Sequence, residues 1–302
     1  MTNSNVSKVR YALMVHGGAK TVPTEKIQQN LEGVKRALKA GQHILQNGGS
    51  AVEAVEAALR VFEDDPAFNC GYGSSLNREG EVEMDAAVMD GSTLQMGAVG
   101  SVQGVQHPVS VARSIVEKET AFMVGQGARE HAEKHGLELC NPRDLIHPEQ
   151  QEKLKDQHQK AQHDTVGCVA LDAQGHLAAA TSTGGLVGHP PGRVGDSPLS
   201  GCGFYAEDGI GAVALTGDGE EIMRYRLASR IMDRMLDLGP EPSICQLIPE
   251  MHQRVGGEAG GLVLTAKGEM GWFHNSKHMP CAFVSSAEPE PQVHLQKEKT
   301  DA

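Results

Sequence analysis

His163-Asp164-Thr165-Val166-Gly167 is the stretch on which the reading of this chain turns. Before it, from Pro148 to Gln162, runs PEQQEKLKDQHQKAQ, which is polar or small apart from one Leu. After it, Thr165 to Asp172 (TVGCVALD) is rich in β-branched and apolar residues and closes on a turn, the pattern of a buried strand. A threonine therefore opens a core strand behind a tether that the core does not need. The expectation is that the chain cuts itself between Asp164 and Thr165, making Thr165 a new N-terminus and the nucleophile of an amidohydrolase.

The chemistry favours that position. A threonine hydroxyl is a poor nucleophile at neutral pH and needs a nearby base. An N-terminal threonine carries one in its own α-amino group, whose ordinary pKa is about 7.7–8.0. Before cleavage that nitrogen is an amide, so the precursor is inactive. Gly167 would let other backbone approach the new terminus. Asp-Thr-Val-Gly alone is a short pattern, and a threonine that merely starts a strand remains the competing explanation.

Composition bounds the rest. At 302 residues the chain is long enough for one large layered domain or two smaller ones. A net charge of -12 argues against a nucleic-acid backbone or an anionic membrane as partner. The 36 glycines and only 4% aromatics point to tight turns and close backbone approaches. The six cysteines show no CxxC spacing, so neither a zinc ribbon nor a redox pair is indicated. The start, MTNSNVSKVRYALMVHGG, has no signal-peptide core, and no run approaches the ~18 apolar residues of a membrane span. A cytoplasmic protein with inert thiols is expected.

In order along the chain, residues 9–15 read as a strand running into His16-Gly17-Gly18-Ala19, either a turn or the floor of a site. Residues 25–47 have helical apolar spacing, and Ser50-Ala51-Val52-Glu53 is a capping box that opens a second helix. Residues 63–73 form a turn-rich loop, an ordinary connection or a cradle of carbonyl oxygens for a cation. Residues 81–89 and 98–102 read as strands, 108–117 and 121–133 as helices, and 147–164 as a mobile linker, with a charged exposed helix as the competing reading. Strands follow at 176–180 and 211–215, a helix from about 222 to 238, another over 243–254, a closing pair at 261–265 and 270–273, and a frayed tail from 288.

Two loops carry further chemistry. Arg193 and Asp196, three apart between glycines, suit a zwitterion, with guanidinium on an α-carboxylate and carboxylate on an α-ammonium, or else form a local salt bridge. Thr216 and Gly217, at a strand end before a helix, offer a hydroxyl and an N–H to a developing oxyanion, while Thr216 could equally cap that helix. No G-x-G-x-x-G or G-x-x-x-x-G-K-[ST] motif supports a nucleotide-binding alternative.

Taken together, HGGA (16–19), NGGSAVEAVEAA (47–58), FNCGYGS (68–74), EMDAAVMDG (83–91), HDTVG, TSTGG, GRVGDSP and TGDGEE span nearly the whole chain. In order and spacing they resemble the plant-type (type 2) L-asparaginase / isoaspartyl peptidase family of N-terminal nucleophile hydrolases. The resemblance implies an α+β fold, a four-layer αββα sandwich in a single domain built from fragments 1–164 and 165–302 and paired into an (αβ)2 assembly. It implies hydrolysis of L-asparagine and β-aspartyl (isoaspartyl) dipeptides through a β-aspartyl ester on Thr165. By it, Thr183 orients the nucleophile, Arg193 and Asp196 grip the aspartyl moiety, Thr216 and Gly217 form the oxyanion hole, Gly219 lines the substrate and Asn69 lies near the nucleophile's amine. No cofactor is implied for catalysis. A structural sodium ion is implied on the carbonyls of Phe62, Glu63, Asp65, Phe68, Cys70 and Tyr72. Asp218 departs from the pattern, and a carboxylate beside the oxyanion hole would disfavour anionic substrates. A glycosylasparaginase-type amidase and an uncleaved, non-catalytic binding protein are the alternatives. Gly184-Gly185 and the start of the chain favour the asparaginase branch.

Overall fold

The computed structural model describes residues 10–156 and 164–297. Its strands are β1 (Ala12–His16), β2 (Met84–Asp90), β3 (Met96–Val102), β4 (Phe122–Val124), β5 (Val166–Leu171), β6 (Leu177–Thr183), β7 (Phe204–Glu207), β8 (Gly211–Gly217), β9 (Ala259–Leu264), β10 (Met270–His274), β11 (Cys281–Ser285) and β12 (Gln292–His294). Its α-helices are α1 (Ile27–Gln46), α2 (Ala51–Glu63), α3 (Pro108–Ile115), α4 (Gly125–Lys134), α5 (Pro148–Lys155), α6 (Gly219–Tyr225), α7 (Leu227–Leu238) and α8 (Pro240–Val255).

The strands form an eight-stranded sheet, β12-β11-β1-β5-β6-β2-β3-β4, and a four-stranded one, β10-β9-β8-β7. β5 shows why its sequence is apolar throughout. It lies inside the larger sheet, antiparallel to β1 and β6, and every residue in it is buried. Side chains alternate between faces with period two. Val166, Cys168 and Ala170 join the core beneath α1 to α4, whereas Val169 and Leu171 face the other way, into the core that holds Phe204, Ala214 and Leu262 of the smaller sheet. Beyond the smaller sheet, Val213, Leu215 and Val263 pack on Ile222, Ile231 and Ile248 of α6, α7 and α8. Three apolar layers therefore separate helices, sheet, sheet and helices, which is the αββα sandwich.

Local chemistry accounts for the helices that set up the site. α1 buries Val34, Ala37, Leu38, Gly41 and Leu45 at helical spacing. α2 begins on the capping box, with Glu53 N–H donating to Ser50 Oγ (3.2 Å) and Ser50 N–H to Glu53 Oε2 (2.8 Å).

Four expectations change. Phe122–Val124, placed in a helix by the sequence, is β4, parallel to β3, and the helix starts only at Gly125 with φ 51°. The helix from 222 to 238 is two helices, broken where Arg226 turns left-handed at φ 54°. The polar run begins as α5, with Pro148 at its first position and Gln150 buried, its Nε2 donating to Gly73 O at 2.8 Å. Residues 157–163, which complete the expected linker, lie outside the described residues, as does Val9 of the first expected strand. The expected tail instead contributes β12, paired antiparallel to β11.

Phe204 is fully buried between the two sheets. Phe204→Ala should lower unfolding stability by about 3–5 kcal/mol through lost burial and a residual cavity. A denaturant titration checks this. The midpoint should fall with the slope unchanged, and a shift below about 1 kcal/mol would contradict the layer assignment.

Candidate active site

The site begins where β1 ends. His16 pairs with Gly167 across β1 and β5, and a Cβ on residue 167 would overlap His16 Nε2. Gly167 therefore makes room for an imidazole, and not for backbone as its sequence context suggests. His16 is fully buried, and that burial depresses its pKa to about 3 against the opposing pull of the Ala214 and Thr165 carbonyls. The ring is neutral at physiological pH. The chain then turns through Gly17 and Gly18. Gly18 has φ 97°, and a Cβ there would stand 2.9 Å from Asp164 Cα and 3.1 Å from Asp164 C. The HGGA segment is thus the floor beneath the Asp164–Thr165 peptide. Ala19 N–H donates to Thr216 Oγ1 at 3.1 Å, tying this floor to the end of β8.

Thr165 is buried, and its Oγ1 is 2.8 Å from Ser197 Oγ, either atom being able to donate. Ser197 O in turn accepts from Thr181 Oγ1 at 2.7 Å. Extending the β5–β6 register one step beyond Val166–Ser182 sets Thr165 opposite Thr183. Thr183 Oγ1 accepts from Gly185 N–H at 3.1 Å, so in the uncut chain the hydroxyl bonded to Thr165 is that of Ser197. Asn69 Nδ2 donates to Gly185 O (2.7 Å) and Asn69 Oδ1 accepts from Ser75 N–H (2.7 Å). Its carboxamide binds the loop after β6 to the loop after α2, and it lines one cavity with Asp164.

Arg193, Asp196 and Gly219 converge. A Cβ on Gly219 would lie 2.7 Å from Asp196 Oδ1 and 3.2 Å from Arg193 Nη2. Arg193 pairs with Glu220 and not with Asp196, as a fork from Nε to Oε1 (3.0 Å) and Nη2 to Oε2 (2.9 Å). Nη1 points into the space left by Gly195, where a Cβ would be 3.0 Å away. Two buried carboxylates on β2 and its approach hold this loop. Glu83 takes Gly192 N–H on both oxygens (3.1 and 3.0 Å), and Asp85 Oδ2 takes Gly195 N–H (3.2 Å). Gly217 has φ 140°, and a Cβ there would overlap Glu258 O. Thr216 does not cap α6, because the cap position is Asp218. The Asp218 carboxylate accepts from Glu258 N–H at 2.6 Å, so the expected anionic barrier beside the oxyanion position is tied to backbone.

In the 62–73 loop, the carbonyls of Phe62, Asp65, Phe68 and Cys70 each accept a backbone N–H. Each keeps a second lone pair for a cation. Gly71 packs directly on Glu63 O, where a Cβ would overlap it. The Glu63 side chain is fully buried, accepts from Val109 N–H (3.0 Å) and Ser182 Oγ (2.7 Å), and is raised in pKa by that burial. It joins α2, α3 and β6 one residue short of Thr183.

A buried threonine hydroxyl at the head of β5 and a forked arginine stand out, and comparison with known proteins gives the family. The sequence model of the asparaginase family matches residues 9–293. The chain belongs to the asparaginase family. It is similar to the mouse isoaspartyl peptidase/L-asparaginase (40% identical; 97% of this chain, 93% of the mouse protein) and to the human one (41%; 89% and 92%). The zebrafish protein of that name is 41% identical over 85% of this chain and 86% of its own length. This asparaginase-family chain is a hydrolase, and its αββα sandwich is the N-terminal nucleophile hydrolase fold. No described helix is long and apolar enough to cross a membrane.

Ser197, Glu220, Glu83 and Asp85 were not among the expected site residues. Ser197 and Glu220 sit inside motifs whose neighbours drew the attention. Glu83 and Asp85 had a signal, since acidic residues two apart on an otherwise apolar strand share one face. Burial raises the Asp85 carboxyl to about 6, against the Ser101 and Gly195 N–H groups and the Arg193 charge. The folded chain of this family member thus holds that proton more tightly than the unfolded chain, whose aspartates titrate near 3.9. The Asp85 contribution to stability is full below about pH 4 and is lost as pH rises through about 6. Denaturant unfolding of wild type and Asp85→Asn from about pH 4 to about pH 7 tests the sign, the wild-type advantage shrinking as pH rises. A difference that grows with pH would contradict it.

Proposed function

We propose that the chain cuts itself between Asp164 and Thr165, and that the freed Thr165 hydrolyses L-asparagine and β-aspartyl (isoaspartyl) dipeptides to release L-aspartate. The observation that carries this reading is the buried Thr165 hydroxyl, hydrogen-bonded to Ser197, at a peptide bond laid on Gly18. The names of the mouse, human and zebrafish relatives support the substrates.

In the first stage Thr165 Oγ attacks the Asp164 carbonyl carbon, the C–N bond breaks, and the nitrogen takes the hydroxyl proton. Water then cleaves the Asp164 ester, leaving a carboxylate and a free α-amine. In the second stage that amine takes the hydroxyl proton as Thr165 Oγ attacks the substrate's side-chain amide carbon. Thr216 Oγ and Gly217 N–H steady the oxyanion, and the amine returns its proton to the leaving nitrogen. Water hydrolyses the β-aspartyl ester. Arg193 holds the substrate α-carboxylate while Glu220 keeps its guanidinium oriented, Asp196 holds the α-ammonium, Gly219 leaves them room, and Thr183 orients the nucleophile from the opposite strand.

The proposed reaction needs no cofactor. A sodium ion on the carbonyls of Phe62, Glu63, Asp65, Phe68, Cys70 and Tyr72 would stiffen the loop that carries Asn69. The active form is an (αβ)2 pair of cleaved protomers, located in the cytoplasm, a setting with which six free thiols agree.

Thr165→Ala removes the attacking oxygen in both stages. On denaturing gels it should stay one band while wild type becomes two. Aspartate release from asparagine should fall at least ~10³-fold. Normal hydrolysis by the uncut variant would overturn the assignment.

A further inference from the structure

Lys20 follows the HGGA floor and has no part in the proposed steps of cleavage or hydrolysis. Its backbone exchanges hydrogen bonds with His278, each 2.9 Å, so it belongs to the fixed body of the fold. Its side chain is only 7% exposed, with Nζ 3.6 Å from Asp164 Oδ2, 3.4 Å from Ala67 O and 5.4 Å from the centre of the Phe68 ring. It lines a cavity of about 320 Å³ together with Asn69, Ser75 and Asp164. That size is in the range that holds small ligands. A buried ammonium needs a counter-charge, and in the uncut chain Asp164 supplies it.

Cleavage makes Asp164 the free end of the first fragment. Once it withdraws, Lys20 faces the space beside the Thr165 nitrogen. The leaving group must occupy that space, because the Thr165 amine hands its proton to the leaving nitrogen within ~3 Å. From asparagine the leaving group is ammonia, which carries no carboxylate. From a β-aspartyl dipeptide it is an amino acid, whose carboxylate lies one carbon beyond that nitrogen's Cα. We propose that Lys20 binds this carboxylate in place of the Asp164 carboxylate, and so favours β-aspartyl dipeptides over asparagine. Of the other lysines lining the cavity, Lys26 is already paired with Glu149, and Lys153 rides on α5, upstream of the cut on the fragment that ends there. The inference rests on Thr165 being the nucleophile.

The test uses matured full-length protein with three substrates, β-aspartyl-leucine, its C-terminal amide and L-asparagine. Wild type should cleave the free acid about tenfold more efficiently than the amide in kcat/KM, the worth of one charged hydrogen bond. Lys20→Met should erase that preference and lower the ratio of β-aspartyl-leucine to asparagine by about the same factor, while Lys20→Arg should keep both. Equal wild-type rates on acid and amide would overturn the proposal, and so would a preference that survives in Lys20→Met. If Lys20→Met does not mature, the wild-type comparison of acid with amide decides. Aspartate release from none of the three substrates would instead overturn the Thr165 reading, and the role of Lys20 with it.

Discussion

Everything around Thr165 depends on the space between β1 and β5. Residue 167 has no side chain because the His16 imidazole stands there, and residue 18 has none because the Asp164 peptide lies on it. These two absences let the end of one strand and the start of another meet closely enough to clamp a single peptide bond. The imidazole can fill that space only because burial keeps it neutral. A charge inside the sandwich, without a partner, would cost far more than the packing returns.

The rest of the site is hung from this junction by buried polar groups. Ala19 N–H reaches Thr216, Asn69 fastens the loop after α2 to Gly185, and Glu83 and Asp85 hold the backbone on both sides of Arg193. Asn69 and Asp85 bond to backbone, and Glu83 to backbone together with Ser101 and Asn77, which turns flexible glycine loops into fixed ones. Chemistry is thereby placed on loops while rigidity comes from the two sheets.

Much of this was legible in the chain. The apolar run after Thr165 foretold a strand covered on both faces, and the capping box at Ser50 foretold the start of α2. The convergence of Arg193, Asp196 and Gly219 was implied by family resemblance and is present in the geometry. The illegible parts share a cause, which is that they depend on partners distant in sequence. Phe122–Val124 is a strand because β3 is beside it, and Arg226 turns left-handed where two helices must pack on one sheet. Glu220 lies far from Arg193 in the chain, and no spacing rule links Lys20 to Asp164. Asp218 was expected beside the oxyanion hole, and its carboxylate accepts from the Glu258 N–H, a partner 40 residues on.

The central claim is that one peptide bond, Asp164–Thr165, is both the first substrate and the origin of the catalyst. Intact-mass and N-terminal analysis of purified chain during incubation tests it directly. Aspartate release should rise in step with a fragment that begins at Thr165. Full activity in chain that remains uncut, or a new N-terminus at another residue, would contradict the account.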